Sequence, residues 1–181
     1  MTSKKFDNSE NSSPFPSIKG RIWLLGDSID TDLIVPSRVL TEQDPTKLLA
    51  ATLENIIPSF AEQVQQGDII VAGTNFGCGS SREEAVFVLK ELGIQAIIAS
   101  SFARIFFRNA INLGLPPIKL AEAPSLGTQG DVVEILWQEG TIHNLTQGIQ
   151  QNFPPFPSFL LNYVRSGGAL NLLRQKLEPN E

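Results

Sequence analysis

Cysteine and histidine occur once each in this 181-residue chain, as Cys78 and His143. A single thiol excludes an internal disulfide, and it excludes a metal or cluster site built from several thiolates of this chain. Basic residues are few: 14 Lys and Arg stand against 19 Asp and Glu, for a net charge of -5. They are scattered, whereas a phosphate-binding surface needs them clustered, so nucleic acid is not an expected partner. Long apolar runs are also missing. None approaches the roughly 20 residues that cross a bilayer, and the opening MTSKKFDNSENSSPFPS holds no apolar segment of signal-peptide type. The expectation is a soluble protein of the cytoplasm with no membrane contact. A plastid stromal protein is the lesser reading, because transit peptides avoid acidic residues such as Asp7 and Glu10.

What is present suits one globular unit. With 41% hydrophobic residues the chain can bury a real core, and its length is that of a single domain. Residues 1–17 are polar and broken by Pro14 and Pro16, so they read as a flexible tail ahead of one domain over 18–178. RIWLLG and DIIVAG read as buried strands, as does IQAIIA. TKLLAATLENIIPSFAEQVQQG has helical spacing through Leu48, Leu49, Leu53 and Ile56, with a break at Pro58. Ala85, Val86, Val88 and Leu89 give a helical face, and SSFARIFFRNAINLG reads as a further capped helix ending at Gly114. Strand, helix, strand, helix, strand predicts right-handed crossovers and a parallel sheet. DVVEILW with EGTIHNL predicts an added antiparallel hairpin, and the C-terminal stretch predicts two short helices around Gly167 and Gly168.

The chemistry concentrates in GTNFGCGSSREEA, residues 73–85, directly after DIIVAG. A glycine loop entering a helix presents backbone N–H groups and the positive end of the helix dipole, an anion site to which Arg82 adds a planar cationic fork. Ser81 with Glu84 fits a capping box. A phosphate-binding P-loop lacks its Lys, a dinucleotide fingerprint fails because Arg82 follows Gly77 and Gly79, and a hydrolase elbow would need G-x-S-x-G. Asp27, Asp30 and Asp32 crowd one turn upstream without the spacing of a calcium loop, so turn and capping roles are expected of them. His143 is expected to be structural.

GDSIDTDLIVPSR, GTNFGCGSSRE and SFARIFFRNAINLGL, in this order, resemble the small subunits of 3-isopropylmalate dehydratase, the separate-chain counterparts of the aconitase swivel domain. PSFLLNYVRSGGALNLLRQKL resembles them more loosely. The resemblance implies an α/β swivel-like domain of three layers, β/β/α, with a mainly parallel central sheet. It implies a large-subunit partner, in a heterodimer or higher assembly, that holds a 4Fe-4S cluster through three cysteines, while this chain binds no cofactor and no metal. The substrate implied is a small hydroxy-diacid, 2-isopropylmalate, isomerised by removal and re-addition of water in leucine biosynthesis. By the same resemblance Ser80 is the general base, and Ser81 and Arg82 bind a substrate carboxylate, with Gly79 and Asn75 beside them. Val39, Leu40 and Thr41 follow PSR in the loop that reads the variable part of the substrate; without a cation there, an apolar substituent is favoured. Glu84 stands where the family commonly has histidine. Related hydro-lyases acting on homoaconitate, citraconate or dimethylmalate remain open, as does a non-catalytic module that binds carboxylates.

Overall fold

The computed structural model describes residues 16–42 and 44–177, without the side chain of Lys176. The expected tail over 1–17 therefore lies, as far as residue 15, outside the described residues. From β1 (Ile18–Leu24) the chain runs through α1 (Thr31–Ile34), a 3-10 turn (Ser37–Val39), α2 (Pro45–Ala50) and α3 (Phe60–Gln63) to β2 (Ile69–Ala72). It continues as α4 (Glu83–Glu91), β3 (Ala96–Ala99), α5 (Arg104–Leu113) and β4 (Pro117–Lys119). After a second 3-10 turn (Ala123–Leu126) come β5 (Val132–Leu136), β6 (Thr141–Asn144), β7 (Ile149–Asn152), α6 (Ser158–Arg165) and α7 (Ala169–Leu177).

All seven strands form one sheet in the order β4-β3-β2-β1-β5-β6-β7. The ladders from β1 to β4 are parallel, as the alternation of strands and helices predicts. Those from β1 through β5 and β6 to β7 are antiparallel. The sheet as a whole is therefore mixed, and its part β4-β3-β2-β1 is the central parallel layer expected. The reason is connection length, since residues 137–140 and 145–148 are too short for a crossover and can join only antiparallel neighbours. The predicted hairpin is present, and β7 extends it by a strand whose polar sequence, IQQN, carried no apolar alternation.

Both faces of the parallel half are buried, and side chains alternate between them. Trp23, Ile70, Ala72, Ile97 and Ala99 face the helices, meeting Val86 and Leu89 of α4 and Phe106 of α5. Ile22, Ile69, Val71, Ala96 and Ile98 face the other way, against Val133, Ile135 and Ile142 of the antiparallel half. That gives the three layers, helices over parallel strands over antiparallel strands. Just ahead of β2, buried Asp68 accepts from Arg21 Nε and Nη2 at 3.1 and 2.8 Å, from Trp23 Nε1 at 2.7 Å and from the Gln65 N–H at 2.9 Å. Burial pushes its pKa upward, but these donors outweigh it and hold the carboxyl below its ordinary range.

The long helix predicted after residue 45 is cut short. α2 ends at Ala50, and Leu53 is fully buried with φ at +56° while its N–H bonds to the Ile34 carbonyl at 3.0 Å. Burial of that leucine under the turn after α1 overrides its helical spacing.

Candidate active site

The glycine loop is held in place by the aspartate-rich turn between β1 and α1. Asp27 accepts from the Thr74 N–H and hydroxyl at 2.6 and 3.0 Å, bonds that hold its pKa below the usual range. Gly77 N–H bonds to the Ile29 carbonyl at 2.8 Å, Thr31 N–H to the Cys78 carbonyl at 2.9 Å, and the Thr31 hydroxyl to the Ser80 carbonyl at 3.0 Å. Asp30 caps α1 by accepting from the Asp32 N–H at 2.8 Å. The upstream aspartates are therefore braces, as turn and capping roles require.

Three glycines answer to this docking. A Cβ on Gly73 would lie 2.0 Å from Asp27 Oδ1, one on Gly77 2.1 Å from the Phe106 ring, and one on Gly79 2.4 Å from Asp30 Oδ2. Gly77 and Gly79 also have φ at +74° and +87°, and Asn75 has +59°. Only glycine permits both the left-handed backbone and the close approach. Cys78, half-buried in the same loop, has its thiol pKa pushed up by burial and by the charge of Asp30, so it remains a neutral thiol.

Ser80 and Ser81 emerge exposed from this frame, and neither hydroxyl has a hydrogen-bond partner among the described residues. The N–H groups of Gly79, Ser80, Ser81 and Arg82 likewise have none there. The capping box is corrected: the N-cap of α4 is Arg82, in extended conformation and with no side-chain cap, so Ser81 does not bond to the helix. An uncapped helix start preceded by four unbonded amides is a concave donor array suited to an anion. Glu83 and Glu84 in the first turn offset part of the dipole. The start of α5 is also uncapped, at Ala103, while its predicted end at Gly114 has the left-handed C-cap.

Arg82 is mostly buried, with 14% of its side chain exposed. Its Nη1 donates to Asp32 Oδ1 at 2.6 Å and to the Val35 carbonyl at 3.1 Å, and its Nη2 to Ser37 Oγ at 3.0 Å. Hydrogen bonds from Arg82 and Ser37 hold the Asp32 carboxyl below its usual pKa range. Two of five guanidinium donors, Nε–H and one on Nη2, have no partner among the described residues, which leaves one edge available. Asp32 and Ser37 are partners of Arg82 that spacing could not reveal, because the contacts join turns about fifty positions apart.

Other predicted residues disperse. Asn75 is exposed on the loop, with its N–H bonded to Ser101 Oγ at 2.8 Å. Val39 is 3% exposed and belongs to the core beneath the helices, Leu40 packs on that core, and only Thr41 is exposed. Val39 thus lies in the core and not on the loop surface: a β-branched apolar side chain on a 3-10 turn turns inward where it can bury area. A cleft of about 440 Å³ adjoins the glycine loop, lined by Gly77, Gly79 and Ser80 on one side and by Arg104, Ile105 and Arg108 on the other. None of 39–41 lines it. His143 sits on β6 opposite Glu134 and Gln150, away from the loop.

The chain matches the Aconitase C-terminal domain family over residues 28–123. It is 46% identical over 164 residues to the 3-isopropylmalate dehydratase small subunit of Nautilia profundicola, covering 91% of this chain and 98% of that one. It is 49% identical over 154 residues to the methanogen homoaconitase small subunit of Methanothermobacter thermautotrophicus, covering 85% and 89%. The crystal structure of 3-isopropylmalate dehydratase from Methanocaldococcus jannaschii superimposes with a TM-score of 0.83 at 41% identity, over 89% of this chain and 95% of that one.

Proposed function

This chain belongs to the aconitase C-terminal domain family, among the small subunits of 3-isopropylmalate dehydratase, and from that premise we propose that its glycine loop is the proton-transfer and carboxylate half of a shared active site. The reaction is the hydro-lyase isomerisation of 2-isopropylmalate and 3-isopropylmalate through 2-isopropylmaleate, carried out with a large subunit. Ser80 acts as the base that removes the carbon-bound proton. The observation that carries this is the serine's setting: an unbonded hydroxyl beside four unbonded backbone N–H groups and an uncapped helix. A serine hydroxyl is too weak an acid to serve as a base in water, so its alkoxide needs such fixed donors in a site that excludes water. Closure by the large subunit would supply that exclusion.

Ser81 and the free edge of Arg82 receive a substrate carboxylate, with Asp32 orienting the guanidinium. Gly79 and Asn75 shape the loop through their left-handed backbone. The fit of a 4Fe-4S cluster to this chain fails on its donor set, a single Cys78, with no metal-ligand group of three or more among the described residues. The cluster belongs to the large subunit in this reading, where it supplies the Lewis acid for the departing hydroxyl. Thr41 lies exposed after the PSR turn and outside the cleft of this chain; should the assembled site reach that loop, its lack of a cation favours an apolar substituent on the substrate over a further carboxylate.

The test is assembly with the cluster-loaded large subunit under anaerobic conditions and turnover of 2-isopropylmalate, homoaconitate and citramalate. Ser80→Ala is expected to lower kcat by about 10²–10⁴-fold without moving the melting temperature. Near-normal turnover in that variant would remove Ser80 from the chemistry, and preferred turnover of homoaconitate would replace the substrate.

A further inference from the structure

Two arginines that no part of the reading above uses face Ser80 across the cleft. Arg104 and Arg108 are both exposed, lie one turn apart on α5, and line the cleft of about 440 Å³ together with Gly77, Gly79 and Ser80. Neither has an ion pair or hydrogen bond among the described residues. Arg82, by contrast, spends three donors on Asp32, Val35 and Ser37.

Their placement works against the helix that carries them. Arg104 is the first residue of α5, where the dipole disfavours a cation, and no acidic residue stands in that turn to offset it. Arg108 follows at i+4, a spacing at which like charges repel. α4, the neighbouring helix at this loop, obeys the opposite rule with Glu83 and Glu84 at its start. A local electrostatic conflict left unrelieved within the fold marks a position kept for something outside it. Phe106 fixes the geometry: its ring, 2% exposed, packs where a Cβ of Gly77 would be, so the helix cannot shift along the loop without opening the core.

We propose that Arg104 and Arg108 together form a receptor for one carboxylate of the dicarboxylate substrate, distinct from the position at Arg82. This rests on the reading of the cleft as the place where a diacid reacts. An anion between the two guanidinium groups cancels their repulsion and takes charge-assisted bonds from planar donors. A diacid held at Arg82 by one end and at this pair by the other is fixed at both ends, which orients the carbon-bound proton toward Ser80.

The experiment measures direct binding of 2-isopropylmalate to the assembled enzyme in the Ser80→Ala background, where turnover does not interfere. Arg104→Gln and Arg108→Gln are each expected to weaken binding about ten-fold or more, and Arg108→Lys to restore only part of it, since lysine keeps the charge without the fork. In the active assembly the same single variants should raise KM more than they lower kcat. Affinity for the large subunit, measured separately, should stay within two-fold or so of the parent. If the glutamine variants weaken assembly while substrate binding at saturating partner is unchanged, the pair docks the partner and the proposal falls. Unchanged binding in every variant overturns it as well. If the Ser80→Ala parent itself binds no 2-isopropylmalate, the reading of the cleft fails, and the receptor fails with it.

Discussion

At Gly79 the backbone stands at φ +87° with no room for a Cβ beside the Asp30 carboxylate, so the residue sets both the loop's conformation and its distance from α1. Gly79→Ala is expected to destabilise the fold by about 1–3 kcal/mol and to lower the melting temperature by about 2–4 °C per kcal/mol at this chain length. Thermal melting by circular dichroism checks it. Asp68 makes a different prediction. Its carboxyl is held below the ordinary range in the folded state, so it contributes stability that is present above the unfolded value near pH 3.9. That contribution is lost as pH falls through the lower folded value, because the unfolded chain then binds the proton more readily. Asp68→Asn is expected to cost about 1–3 kcal/mol at neutral pH by breaking the donors from Arg21 and Trp23. The variant should also flatten the acid limb of the stability curve, as denaturant titrations between pH 3 and 7 would record. An unaltered acid limb would mean that other carboxylates govern it.

Among the elements, α4 carries the correction with the most use. Ser81 was a natural cap by pattern, S-x-x-E ahead of an apolar run, yet Arg82 occupies the cap and Ser81 stays unbonded. Ser81→Ala should leave the melting temperature within about 1 °C of the parent, as for an exposed residue without partners, while weakening substrate binding. A loss of several degrees would restore the capping role. Asp32→Asn separates orientation from charge at the same helix start. It removes the anion that holds Arg82 Nη1 without removing the arginine, so kcat/KM is expected to fall in the assembled enzyme by about ten-fold or more. Arg82→Lys should do the same by losing the fork. If Arg82→Lys keeps full activity while Arg82→Ala melts early, the arginine serves the fold alone.

For the molecule as a whole, the proposed active site is half of one. The loop supplies donors and a hydroxyl, the cleft opens to solvent beside it, and one cysteine in 181 residues cannot hold a cubane cluster. The purified chain is therefore expected to contain no stoichiometric iron, to lack cluster absorption in the visible region, and to turn over nothing until the large subunit is added. Iron analysis and an optical spectrum of the isolated protein test this, and a stoichiometric cluster in it would contradict the division of labour. Among the described residues no helix is long and apolar enough to cross a membrane.

What the sequence determined alone was whatever depends on local period and local chemistry. DIIVAG and IQAIIA had to be buried strands, the stretches between them had to be helices, and two close-spaced segments after residue 131 had to pair antiparallel, because each follows from side-chain alternation and connection length. The three motifs carried the family, and by resemblance the role proposed for Ser80. Tertiary structure decided what depends on loop closure. It carried Asp32 to Arg82 across fifty positions, turned Val39 into the core, stopped α2 at Ala50 to bury Leu53, and brought Arg104 and Arg108 to the cleft of Ser80. It also withheld the cap from Ser81, where the bonds from Thr31 to the carbonyls of Cys78 and Ser80 hold the backbone ahead of α4. Such outcomes rest on contacts between segments distant in the chain, whose closure entropy and packing no short window of sequence encodes.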